Sequence, residues 1–222
     1  MRKNQEYKAM ALASLKGNWA PAVVASIVMM AFTYVIYGPY TVVSELMMNH
    51  ITVNPLFALV ALAVYMLGMP LVFMPFDVGY TYASNRLFVE GDGRVTGNIF
   101  RDGFGRWGRN VWGMFLVGLF TSLWSLLLIV PGIVKFYAYA MTPYILIDNP
   151  ELSANQAINL SKKMMKGHKF DLFFLHLSFI GWFFLSIFTL GIGLLWVVPY
   201  MMTAQAAFYQ DIRKEYQSTN NQ

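Results

Sequence analysis

Apolar residues run through this chain in long blocks instead of alternating with polar residues over short distances. A helix needs about 20 residues to cross the ~30 Å hydrocarbon core of a bilayer, and six stretches reach or approach that length. They cover residues 19–42, 55–82, 110–130, 131–147, 170–190 and 192–209. The pattern therefore predicts an all-α membrane protein with six transmembrane helices.

Two of these boundaries depend on residues that break helices. The third and fourth spans meet at Pro131-Gly132, and the fifth and sixth meet at Gly191-Ile192-Gly193. Proline lacks a backbone N–H, and glycine adopts turn conformations at little cost. Each long run is therefore predicted to be two helices, so that the six spans form three hairpins.

The positions of lysine and arginine predict the orientation, because short loops rich in these residues stay in the cytoplasm. With six spans, fifteen of the sixteen lysines and arginines fall on one side, and Lys135 is the exception. We therefore predict cytoplasmic N and C termini. Anionic headgroups attract such loops by roughly 1 kcal/mol per residue, so the net charge of +5 requires no nucleic-acid partner.

Three segments on the predicted cytoplasmic side have the pattern of amphipathic interfacial helices: residues 4–16, 95–108 and 153–166. In the third, Ser153 and Gln156 have the spacing of a capping box, and Gly167 is a predicted C-terminal stop. Basic residues lie near the second segment and on the face of the third segment opposite its apolar face. We therefore predict contacts with anionic lipid through Arg101, Arg106, Arg109, Lys162, Lys163, Lys166 and Lys169.

Composition narrows the class of protein further. The chain is 57% hydrophobic and 12% charged, whereas soluble domains are about 25% charged. With no cysteine, it has neither disulfides nor thiolate metal sites. It also lacks phosphate-binding, serine-hydrolase and HExxH motifs. These observations predict a single membrane domain over residues 1–222, non-enzymatic and without a cofactor.

Five short segments resemble one bacterial family. They are Leu15–Trp19, Ile129–Lys135, Asn159–Gly167, Leu177–Trp182 and Thr189–Gly193. On these residues the chain resembles the membrane-protein family catalogued as domain of unknown function 975, over nearly its whole length. The resemblance implies a multi-pass protein of the bacterial cytoplasmic (inner) membrane. It implies no activity, cofactor or catalytic residue.

One ionisable residue lies well inside a predicted span. Asp77 is roughly 10 Å from the cytoplasmic end of the second span at ~1.5 Å per residue, and a charge there costs about 2.5–3.5 kcal/mol. Residues at similar depth on other spans are Thr142, His176 and Gln205. Together they predict a polar cavity open to the cytoplasm, in which Asp77 binds a cation or exchanges a proton.

A plainer interpretation of the same residues stays open. Asp77 would end its helix just after Pro75, with its carboxylate reaching interfacial water or Arg86. His176 and Gln205 would then make ordinary hydrogen bonds between helices.

Two functions follow from these alternatives. The first is a non-enzymatic interaction protein, either membrane-organising or accessory to a partner complex, whose partners are lipids with anionic headgroups. The second is a small transporter or channel subunit with the cavity around Asp77. The sequence leaves open a homo-oligomer or another membrane protein as partner.

Overall fold

The structure, a computed structural model, describes residues 2–220, and this range is helical without a β-strand. The all-α prediction is therefore confirmed for the described residues. A π-helical segment, Met69–Phe73, joins α3 to α4. The α-helices are α1 Asn4–Leu15, α2 Trp19–Met48, α3 Pro55–Gly68, α4 Met74–Glu90, α5 Val95–Gly105, α6 Trp107–Leu127, α7 Ile129–Tyr139, α8 Thr142–Asp148, α9 Ala154–Met164, α10 Lys169–Leu177, α11 Ile180–Phe188 and α12 Leu194–Asn220.

Five helical segments in the described range are long and apolar enough to cross a membrane. They are Trp19–Met48, Pro55–Glu90, Trp107–Leu127, Ile129–Asp148 and Lys169–Phe188, and each overlaps one of the first five predicted spans. Helix α12 is not among them, because polar and charged residues such as Gln205, Gln210 and Asp211 occupy its second half. The structure therefore supports a membrane protein with several apolar helices, while the sixth span stays a prediction.

The first predicted reversal is displaced. The break lies at Leu128, where an extended backbone (φ −158°, ψ 142°) ends α6, and not at Pro131-Gly132. Pro131 belongs to the first turn of α7, where a backbone N–H has no helical acceptor and its loss costs nothing. A Cβ on Gly132 would clash with Ser125 of α6. Gly132 therefore allows α7 to pack closely against α6. The predicted position of this reversal was wrong by about three residues.

Burial is concentrated where α1, α4, α5, α8, α9 and residues 197–212 of α12 pack together. We call this region the packed end. The turn after α6 is the opposite case, since residues 126–130 are 67–83% exposed although all are apolar. Lipid is the solvent that covers such surfaces at no cost.

Helices α4 and α5 cross at two glycines. A Cβ on Gly79 would clash with the backbone oxygen of Ile99, and a Cβ on Gly103 would clash with that of Pro75. Small residues of this kind let two helix backbones approach closely. The α4–α5 crossing therefore requires glycine at both positions.

One buried carboxylate joins three helices at the packed end. Asp148, the last residue of α8, accepts hydrogen bonds from the hydroxyls of Tyr82 (2.5 Å) and Tyr209 (2.6 Å). It also forms an ion pair with Arg213 at 2.8 Å, and its side chain is 5% exposed. Asp148 thereby ties α8 to α4 and α12.

A second contact brings residues near both ends of the chain together. The hydroxyl of Tyr7 in α1 donates to the Asp211 carboxylate in α12 at 3.1 Å, and Arg2 lies 3.3 Å from the same carboxylate. Burial, together with the Asp211 carboxylate, raises the pKa of Tyr7. Helix α1 is thus packed against the C-terminal half of α12.

The predicted amphipathic segments are helical, but the second one ends at Gly105, before its predicted end at residue 108, and its Phe100 is 43% exposed. In α9 the capping box is present, with Ser153 N–H donating to Gln156 Oε1 at 2.8 Å. The apolar face of α9, from Ala154 to Met165, is at most 5% exposed and packs on α6, α7, α8 and α12. Because protein already covers this face, α9 cannot insert it into lipid.

Candidate functional site

Two of the seven cations predicted to contact lipid instead form hydrogen bonds with the loop between α8 and α9. The guanidinium of Arg109 donates to the backbone oxygens of Asn149 (3.1 Å), Pro150 (2.8 Å) and Leu152 (3.0 Å). Arg106 also donates to the Pro150 oxygen. Carbonyls beyond a helix C-terminus lack helical partners and attract cations. Arg106 and Arg109 therefore hold this loop in place.

A third cation, Arg101, already has an acidic neighbour. Its Nε lies 3.1 Å from Asp102, and the same carboxylate is 2.7 Å from Arg86. The side chain of Arg101 is 55% exposed, so this pair contributes little stability. The Asp102 carboxylate nevertheless offsets the charge that Arg101 offers to a lipid headgroup.

The remaining four cations form what we call the lysine cluster: Lys162, Lys163, Lys166 and Lys169. Lys162 donates to Asn159 at 3.0 Å and lies 5.6 Å from the centre of the Tyr139 ring. For the other three, no carboxylate in residues 2–220 lies within 4 Å. Their positive charges are therefore free to attract an anion.

The local sequence explains why this cluster points outward. Met164 and Met165 are 5% and 0% exposed and anchor the end of α9 in the core. Gly167 then adopts a positive φ of 94°, a conformation that glycine reaches without steric cost. The chain turns there into α10, and the lysines remain on the surface on either side of Gly167.

Two cavities flank this turn. A polar cavity of about 560 Å³ is lined by residues that include Lys163, Lys166 and His168; His168 bridges Asp171 (3.3 Å) and Glu215 (3.2 Å). An apolar groove of about 400 Å³ lies between α7 and α10, and Lys169 contributes to its lining. The lysine cluster thus adjoins both a polar and an apolar concavity.

The predicted polar layer divides into two groups. His176 Nε2 lies 3.1 Å from Gln205 Oε1, and His176 Nδ1 lies 3.4 Å from the Tyr137 hydroxyl. These contacts are hydrogen bonds between helices, as expected if His176 and Gln205 do not line a cavity with Asp77. No contact in the described chain joins this group to Asp77.

Asp77 lies within an unbroken helix, Met74–Glu90, and so does not end it. Arg86 is engaged by Asp102 and Glu90 instead. The Asp77 carboxylate interacts electrostatically with Tyr80 and Tyr144, but it forms no hydrogen bond or ion pair with residues 2–220. The Thr142 and Tyr144 hydroxyls are likewise buried without a hydrogen-bond partner.

Comparison with known proteins gives one match. Residues 106–216 match the family model described as Protein of unknown function (DUF975), which is half of the chain. The chain belongs to this family. No curated protein and no solved structure matches it.

The part that matches the DUF975 family runs from the residue before α6 into the second half of α12. It contains four of the five segments on which the resemblance was based, and it contains the whole lysine cluster. The segment Leu15–Trp19 and the residue Asp77 lie outside it. Within this family member, the matched region therefore includes the candidate lipid site but only part of the predicted polar layer.

Sequence reasoning missed one residue that shapes this region. Ser161 lies on the apolar face of α9 and is fully buried. Its hydroxyl donates to the Ala138 oxygen (2.9 Å) and accepts from the Met141 N–H (3.2 Å), at the break between α7 and α8. The sequence did contain a signal for this contact, namely a small polar residue on an otherwise apolar helix face. A second signal was Pro143, which interrupts the apolar segment that Ser161 contacts.

Proposed function

We propose that this DUF975-family protein is a non-enzymatic protein of the bacterial cytoplasmic membrane that works by contact, binding anionic phospholipid at its cytoplasmic face. The lysine cluster carries the proposal, because none of its four members has a carboxylate within 4 Å in the described chain. Arginines with similar spacing are engaged by backbone oxygens or by Asp102. Of the seven cations predicted to contact anionic lipid, only the four of the lysine cluster are therefore proposed to bind it.

The contact between α1 and α12 supports the orientation that this proposal needs. Tyr7 and Asp211 meet at the packed end, as they would if the two termini lay on the same side of the membrane. Only an even number of crossings returns the chain to its starting side. Five apolar segments and the N-terminal half of α12 together give six crossings, and the positive-inside rule then favours cytoplasmic termini.

The variant Lys163→Gln/Lys166→Gln is expected to weaken the preference for anionic lipid, because each lysine near a membrane surface contributes roughly 1 kcal/mol, or about fivefold in affinity. The full chain would be reconstituted in phosphatidylcholine vesicles. Electron spin resonance of spin-labelled phosphatidylglycerol and phosphatidylcholine would then measure how strongly each lipid associates. The wild-type protein should favour phosphatidylglycerol, and the variant should lose most of that preference.

Two control variants sharpen this test. Lys163→Arg/Lys166→Arg keeps the positive charge at both positions and should retain the preference. Arg109→Gln should lower the thermal stability of the protein without changing lipid preference, since Arg109 holds the α8–α9 loop. Equal association of both lipids with the wild-type protein would contradict the proposed function.

A second candidate function, a small transporter or channel subunit, is favoured by one observation. The Thr142 and Tyr144 hydroxyls are buried without hydrogen-bond partners in the described chain, and such groups often mark an unseen water or ion. Under this alternative, Asp77→Asn should abolish proton or Na⁺ flux into proteoliposomes, while Asp171→Asn should not. Flux that is unchanged in Asp77→Asn would remove Asp77 from any transport mechanism.

A further inference from the structure

His168 stands between two helices, with a carboxylate beside each nitrogen of its ring. Nδ1 lies 3.3 Å from Asp171 of α10, and Nε2 lies 3.2 Å from Glu215 of α12. The histidine side chain is 18% exposed, whereas those of Asp171 and Glu215 are 47% and 49% exposed. His168 thereby joins the turn between α9 and α10 to the C-terminal part of α12.

The protonation state of the ring decides whether both contacts can form. An imidazolium has two N–H donors, whereas a neutral imidazole has one N–H and one lone pair. In the neutral ring, one nitrogen would therefore turn its lone pair toward a carboxylate oxygen, and the two repel each other. A histidine changes its charge between about pH 5 and pH 8, so the bridge is complete in acid and loses one contact as the pH rises.

The contact with Glu215 is the one expected to break. Asp171 is in the first turn of α10, three residues from His168, and has a short side chain. Glu215 reaches the ring from another helix with a longer side chain, which loses more rotamer freedom when it is held in place. The neutral ring therefore keeps Asp171 as its acceptor and releases Glu215.

A released Glu215 carboxylate would compete with lipid for the lysine cluster. Lys163 and Lys166 line the same polar cavity of about 560 Å³ as His168 and Glu215, and their flexible four-carbon stems let the ammonium groups reach a freed carboxylate. Deprotonation of His168 also removes one positive charge from this cavity. Both changes weaken the attraction of the cavity for an anion as the pH rises.

Other titratable groups near the ring are few. Those that line this cavity or bond to His168 are Lys163, Lys166, Asp171, Glu215 and Tyr216. Lysine and tyrosine titrate near pH 10, and aspartate and glutamate near pH 4, when they are unperturbed. His168 is therefore the group in this set whose ordinary range of titration lies around neutral pH.

Resting on the proposed function, we propose that His168 is a pH switch that controls the binding of anionic lipid by the lysine cluster. Toward about pH 5, the imidazolium holds Glu215, and Lys163 and Lys166 are available to the lipid phosphate. Toward about pH 8, Glu215 pairs with these lysines instead. The protein thus binds anionic lipid most strongly under acidic conditions.

Electron spin resonance of spin-labelled lipids tests the switch in the full chain, reconstituted in phosphatidylcholine vesicles at about pH 5.5 and about pH 8. The phosphodiester of phosphatidylglycerol keeps its negative charge throughout this range. In the wild-type protein, the preference for phosphatidylglycerol over phosphatidylcholine should fall about fivefold between the two pH values, which is the effect of one cation near the surface. His168→Gln cannot titrate and should show the same preference at both.

Two further variants separate the switch from a general effect of pH. Glu215→Gln keeps the histidine but removes the competing carboxylate, so it should lose less of its preference at pH 8 than the wild-type protein does. His50→Gln removes an exposed histidine that does not line the cavity and should retain the pH dependence of the wild-type protein.

The possible failures of the switch and of the proposed function are distinguishable. A wild-type preference for phosphatidylglycerol that is equal at both pH values would overturn the switch and leave the proposed function intact. A pH dependence that persists in His168→Gln would assign it to other groups and would also overturn the switch. Equal association of both lipids with the wild-type protein at both pH values would contradict the proposed function and the switch together.

Discussion

Gly103→Ala is expected to lower the unfolding temperature of this protein, whereas Gly97→Ala, in the same helix, is expected to leave it unchanged or raise it. A Cβ on Gly103 would clash with the backbone oxygen of Pro75, and a backbone atom cannot rotate away as a side chain can. Overpacking of this kind typically costs 1–3 kcal/mol, occasionally more. Nothing lies within 4 Å of a Cβ on Gly97, so alanine there gains roughly 0.8–1.0 kcal/mol of helix propensity.

Thermal unfolding of the purified chain in one detergent, followed by circular dichroism, measures both effects. Gly79→Ala should behave like Gly103→Ala, because its Cβ would meet the Ile99 oxygen from the other side of the same crossing. If Gly103→Ala proved as stable as Gly97→Ala, α4 and α5 would not cross at these glycines.

Asp148→Ala is expected to destabilise the packed end by about 3 kcal/mol or more. Removing one partner of a buried ion pair typically costs 3–5 kcal/mol, and each hydrogen bond to a charged group contributes about 1.5–3 kcal/mol. Arg213 is 37% exposed and can turn to water. The Tyr209 residue is buried, so its hydroxyl would lose its acceptor without an easy replacement.

Denaturant or thermal unfolding of a short series would isolate this contribution. Asp148→Asn keeps one acceptor oxygen, so its stability should lie between those of the wild-type protein and Asp148→Ala. Tyr82→Phe and Tyr209→Phe should each lose part of the stability that Asp148→Ala loses. Glu151→Ala, which removes an exposed carboxylate three residues away, should change stability by less than about 0.5 kcal/mol. A loss no larger in Asp148→Ala than in Glu151→Ala would show that Asp148 does not join the three helices.

Several features of the fold could be predicted because they depend on nearby residues. A long apolar run and the Ser153–Gln156 capping box are local patterns. So is the amphipathic pattern of α9, whose apolar face is buried in the structure. The reversal near Leu128 was misplaced because Pro131 can begin a helix as readily as it can end one.

The candidate site could be predicted only in part. The sequence shows that a lysine or arginine lies near a span, but it does not show whether that side chain contacts lipid or another part of the protein. Arg109 meets Pro150, 41 residues away, and this contact removes it from the lipid-binding surface. Lys163 and Lys166 have no such partner in the described chain.

By itself, the sequence determined that the chain is helical, apolar enough for a membrane, and basic on one predicted side, because these properties are set within one or two helical turns. Only the tertiary structure decided which cations are free, which faces of the short helices are covered, and that Tyr7 meets Asp211 across 204 residues. Those outcomes depend on which segments become neighbours. Packing between distant helices settles that, through close contacts such as the glycine crossing of α4 and α5.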